Sequence, residues 1–123
     1  MSTQNGKPRV WIVNPGRSHD YSQCGSYGSL VAAFDGKVNI YNTDALCSQI
    51  RDVIDAADPK DYMVLGGNVV LCSMFLSAWM SRFGFARMLI WGSARRDYEL
   101  RELNVDRFTT PTHQAVSFGA TRA

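Results

Sequence analysis

Three short runs rich in β-branched and aromatic residues, Arg9–Val13 (Arg-Val-Trp-Ile-Val), Tyr62–Leu65 and Phe85–Trp91, alternate with stretches of helical spacing. This alternation restricts the fold more than any other feature of the chain. A run with apolar residues at nearly every position suits a strand covered on both faces. Strands separated by helices pair in parallel, because each helix carries the chain back to the start of the next strand.

The intervening stretches carry their own punctuation. Leu46, Ile50, Val53, Ile54 and Ala57 fall on one stripe, with Gln49, Arg51, Asp52 and Asp55 on the wet side. Asn42 or Thr43 supplies an N-cap, Asp44 suits the first-turn dipole, and Asp58-Pro59 ends the helix. A second helix, about Val69 to Phe83, begins after Asn68 and stops at Gly84. It is apolar on most sides, so it needs cover on more than one face: a sheet, and then another helix or another subunit. Ser73, Ser77 and Ser81 form a small-residue ladder that lets a neighbour come close. Beyond Phe85–Trp91, a turn at Gly92–Arg96 leads into Asp97–Leu103. That segment reads as a return strand, its alternative being a Glu/Arg-rich helix.

Residues 21–34 admit two readings. The preferred one is a helix through Cys24, Tyr27, Val31 and Phe34, followed by Lys37–Tyr41 as a short strand. Gly25 and Gly28 count against it. The other is a hairpin of Leu30–Phe34 and Lys37–Tyr41 about Asp35-Gly36. The expected fold is therefore α/β: a small Rossmann-like sandwich around three parallel strands, the mostly parallel sheet ending in a C-terminal antiparallel hairpin. Residues 1–103 form a single domain, and 104–123 an extended or disordered tail.

Bulk properties narrow the function classes. A chain of 123 residues fits one domain. A net charge of +2 does not mark a nucleic-acid binder, although it leaves nucleic acid open as a partner. Every basic residue beyond residue 60 is an arginine, the side chain best suited to bidentate phosphate or carboxylate contacts. Cys24, Cys47 and Cys72 are odd in number and widely spaced. They offer neither a disulfide framework nor a zinc motif, and they fit a reducing cytoplasm. The polar Met1–Pro8 lacks a signal-peptide core. Met63–Ser81 is free of charge, but Gly66, Gly67, Asn68 and the serines interrupt it, so no membrane span is expected.

Open α/β sheets bind ligands beyond the carboxyl ends of their strands. That rule selects three loops. The first holds Asn14, Gly16, Arg17, Ser18, His19 and Asp20, able to bind an anion or transfer a proton. The second, Gly66, Gly67 and Asn68, opens a helix whose N-terminal N–H groups favour phosphate. It matches neither GxGxxG nor GxxxxGK[ST]. The third sets Trp91 beside Arg95 and Arg96, a pattern suited to stacking a base and holding a phosphate. The expected function is a non-enzymatic binding or assembly module, associating with itself or another protein. It takes a phosphorylated or nucleotide ligand at the strand ends and needs no cofactor. The alternative is a small nucleotide-handling enzyme using the 14–20 loop.

Overall fold

The computed structural model describes residues 6–17 and 19–109. The candidate Ser18, and the expected tail from residue 110 onward, lie outside the described residues.

The chain forms a five-stranded mixed sheet with strand order β2-β1-β3-β4-β5. Strand β1 is Arg9–Ile12, β2 is Ser29–Ala32, β3 is Tyr62–Val64, β4 is Phe85–Gly92 and β5 is Asp97–Asn104. Helix α1 (Thr43–Ala56) joins β2 to β3, α2 (Val69–Phe83) joins β3 to β4, and a one-turn α3 (Asp106–Thr109) follows β5. β1 pairs in parallel with β2 and β3, and β3 with β4, while β4 and β5 are antiparallel. The parallel part thus has four strands, one more than the apolar runs indicate. The added strand is β2.

The alternation of side chains along β1 feeds two cores. Trp11 points to the face where Leu46, Ile50 and Ile54 of α1 meet Leu71, Phe75 and Trp79 of α2. Val10 and Ile12 point to the other face, against Cys24, Val64, Leu89 and Tyr98. β1 is buried on both sides for this reason. The over-apolar α2 finds its second cover within the chain, since it packs on both β4 and α1. Asn68 caps it, its side chain accepting from the N–H groups of Val70 and Leu71, and Gly84 ends it in the left-handed conformation at φ 79°.

Residues 21–34 are neither the helix nor the hairpin expected. Ser22–Ser26 is a single 3₁₀ turn, and Ser29–Ala32 is a strand parallel to β1. Lys37–Tyr41 is not a strand. Gly28 explains the entry into β2: a Cβ there would collide with the Pro8 carbonyl. Backbone approach this close admits only glycine. The β1–β2 connection crosses the face opposite the helices, and β2 then leads to β3 across the helical face. Reversing direction while changing face keeps parallel crossovers of one hand.

At the amino ends of the strands, Asp61 is 1% exposed. It accepts hydrogen bonds from the N–H groups of Arg9 and Asp58 and from the indole of Trp11. This carboxylate ties β1 to the loop before β3.

Candidate functional site

The carboxyl ends of β1, β3 and β4 lie side by side. The main chain closes the gap between the first two: Val13 donates to the Val64 carbonyl at 3.1 Å, and Asn14 to that of Gly66 at 2.9 Å. The chain leaves β1 toward one face of the sheet and leaves β3 toward the other. Such a divergence opens a crevice between neighbouring strands.

On the face opposite the helices, this end of the sheet holds a pocket of about 260 Å³. Its walls include His19, Tyr21, Gly66, Trp91 and Tyr98, over a strand floor that includes Val64 and Leu89. His19 and Tyr21 stack, their ring centroids 5.6 Å apart and planes 26° off parallel. Asp20 starts the turn that aims them: its carboxylate accepts from the Ser22 N–H at 2.9 Å. The same bond holds the Asp20 carboxyl below its ordinary pKa. Cys24, further round the turn, is wholly buried beneath the tyrosines. Gly66 makes room for Tyr21: a Cβ there would lie 2.5 Å from the Tyr21 hydroxyl oxygen.

Trp91 and Tyr98 face one another across the β4–β5 hairpin and pack edge to face, 5.2 Å between centroids. Trp91 is 47% exposed, whereas Tyr98 is 5% exposed. Burial raises the pKa of both Tyr21 and Tyr98, with smaller contributions from the nearby thiols. Both phenols are therefore protonated at neutral pH. Burial, and then Asp97, pushes the Cys24 thiol to about 11, so it is no nucleophile there.

The candidates from the three loops separate by role. His19, Gly66 and Trp91 line this pocket together. Asn14 serves the frame: its side-chain amide donates to the carbonyls of Phe34 and Gly36 at the exit of β2. Gly67, at φ 120°, lies against Asn14, where a Cβ would approach to 3.0 Å. Asn68 is occupied as the cap of α2. Gly16 and Arg17 are exposed at the surface of the first loop. Arg95 reaches Glu99 at 3.8 Å, and Arg96 forms the hairpin tip at φ 55°. Neither arginine lines the pocket.

Tyr21 and Tyr98 are the lining residues that sequence reasoning passed over. Tyr21 stands one residue beyond the first loop. Tyr98 enters the site only through hairpin register, because the Gly92–Asp97 pair places it opposite Trp91. Among the described residues, no group of three or more His, Cys, Asp or Glu side chains is arranged to hold a metal ion. No helix among the described residues is long and apolar enough to cross a membrane.

Fold and pocket together define an α/β protein with one mixed sheet, helices on one face, and an aromatic pocket on the other at the strand carboxyl ends. Residues 8–105 match the family model described as Phage Pam3 gp32-like protein, and the chain belongs to that family. No curated protein and no solved structure matches it.

Proposed function

We propose that this protein is a binding module that takes a small planar heterocycle of nucleobase or nucleoside type in the pocket beside Trp91. The observation that carries this reading is the aromatic lining. The half-exposed Trp91 lines the same pocket as the His19–Tyr21 stack, and Gly66 leaves room for the Tyr21 ring. Ring stacking on such side chains contributes about 1–3 kcal/mol per base. The volume of about 260 Å³ lies just below the roughly 300–1,000 Å³ typical of drug-sized ligands. One ring system with a sugar fits; a dinucleotide does not. The position supports the reading, since open α/β sheets take ligands beyond the carboxyl ends of their strands and the pocket floor lies on the ends of β3 and β4. A phosphate on the ligand would project beyond the pocket, and Arg17 is exposed in the loop that carries His19.

Tryptophan fluorescence tests this directly. Trp11 and Trp79 are buried at 5% and 0% exposure, so an added nucleoside in solution reaches Trp91 alone. Nucleosides should quench the emission and raise the melting temperature. Trp91→Ala should weaken binding by about tenfold or more while leaving the fold intact. No quenching and no thermal shift with millimolar nucleosides would reject the reading.

Self-association is a second reading. Between α1 and α2 runs a groove of about 610 Å³, floored by Ile50, Ile54, Met74 and Ala78 and edged by the serine ladder. Arg51 and Arg82 line it as well, Arg82 paired with Asp55 at 2.8 Å. Light scattering that finds only monomer at high concentration would remove this reading.

A further inference from the structure

We propose that two copies of this chain join along the outer edge of β5, the two strands antiparallel about a two-fold axis at Leu100. This surface is distinct from the groove between α1 and α2. β5 ends the sheet, and among the described residues it pairs with β4 alone. It holds register with β4 over 8 residues without a bulge, whereas the opposite edge strand, β2, has 4. It contains neither proline nor lysine. A long, regular edge strand is a template for another strand, which proteins blunt by shortness, proline, lysine or a bulge. The middle of β5 is open: Leu100, Arg101 and Glu102 are exposed. The Tyr27 hydroxyl meets the main chain nearer one end, at the Tyr98 carbonyl.

The charge pattern identifies the occupant as a second copy. A two-fold axis makes paired edges antiparallel and sets residues equally far on either side of the axis against one another. With the axis at Leu100, Glu99 faces the partner's Arg101, and Arg101 faces the partner's Glu99. Both opposite-charge pairs lie on one face of the joined sheet, since side chains alternate along a strand. On the other face, Leu100 meets the partner's Leu100, covering a side chain left 37% exposed. Other registers are penalised. An axis at Glu99, Arg101 or Glu102 sets that charge against its own copy, and one at Tyr98 sets Asp97 against the partner's Glu99. Within the chain, Arg101 lies 3.4 Å from Glu99, their side chains 61% and 34% exposed. An exposed pair of this kind contributes little, so Arg101 exchanges it for the partner's Glu99 at small cost.

Equilibrium sedimentation of the full chain over a concentration series tests the proposal. The wild type should dimerise. Glu99→Arg and Arg101→Glu each turn both cross-strand pairs into like charges, so each alone should weaken the dimer by about tenfold or more. An equimolar mixture of the two should recover the wild-type dimer, because every cross-strand pair then joins an arginine of one variant to a glutamate of the other. Restored folding within one chain could not produce that recovery. Both are surface changes, so melting temperatures should stay within about 3 °C of the wild type. Ser77→Arg, in the groove between α1 and α2, should leave the dimer unchanged. A wild type that stays monomeric, single variants that dimerise as well as it does, or a mixture that stays monomeric overturns the proposal. So does a dimer lost through Ser77→Arg alone. If a single variant unfolds, Leu100→Lys decides: it sets like charges on the axis, and a dimer undiminished by it overturns the proposal.

Discussion

Removing the Asp61 carboxylate should cost this fold more than any surface change. Its oxygens accept from the Arg9 N–H at 2.9 Å, the Trp11 indole at 2.9 Å and the Asp58 N–H at 3.0 Å. Asp61→Ala leaves the Trp11 indole N–H in the core without an acceptor, a loss of about 1–3 kcal/mol. The two main-chain N–H groups are half-buried and regain water in part, so each adds about 0.5–1 kcal/mol. The Arg9 guanidinium lies 3.4 Å away with a side chain 37% exposed, and its pairing contributes little. The expected destabilisation is about 3–4 kcal/mol, a fall in melting temperature of roughly 12–16 °C for a domain of this size. Urea titration and calorimetry would measure it. In a Trp11→Phe background the same substitution should cost about 1–2 kcal/mol less, since the stranded donor is gone. A cost under about 1 kcal/mol, or the same cost in both backgrounds, would refute the reasoning. The clamp lies at the opposite end of the sheet from the pocket, so the folded fraction should keep its ligand affinity.

Two glycines should separate fold from site. Gly28→Ala forces a Cβ into the Pro8 backbone, which cannot step aside, and should destabilise by more than about 2 kcal/mol in urea titration. Gly66→Ala meets only the far end of the Tyr21 side chain, so stability should fall by less than about 1.5 kcal/mol while the displaced ring weakens nucleoside quenching of Trp91. The thiols should titrate as a set. Cys47 is exposed and Cys24 and Cys72 are buried, so a thiol reagent should count one fast site in the native protein and the rest on unfolding. The Cys24 thiol has a folded pKa of about 11 against an ordinary 9.0, so the unfolded state gives up its proton first. Stability should hold below about pH 9 and decline between there and pH 11, read as a falling urea midpoint.

The alternation of apolar runs with capped helices was legible at once. α1 begins after Asn42 and α2 spans Val69–Phe83 between Asn68 and Gly84, because caps and stripes are written in local chemistry. β2 was not legible. Ser-Leu-Val-Ala has no alternation and little bulk, and it is a strand only because the backbone at Gly28 packs against Pro8 and sets it beside β1. The pocket divides the same way. His19, Gly66 and Trp91 stand in loops that strand-end reasoning selects, whereas Tyr98 joins them through hairpin register and Tyr21 through the fit of its ring over Gly66. Arg95 and Arg96, conspicuous as a pair in the chain, sit at the hairpin tip outside the lining. By itself the sequence determined the α/β class, the two helices and the end of the sheet where the loops gather, since these follow from periodicity and capping within a few residues. Only the tertiary structure decided which face holds the pocket and which aromatic rings line it. Those depend on contacts between residues far apart in the chain, where a one-residue change of register turns a ring from one face of the sheet to the other.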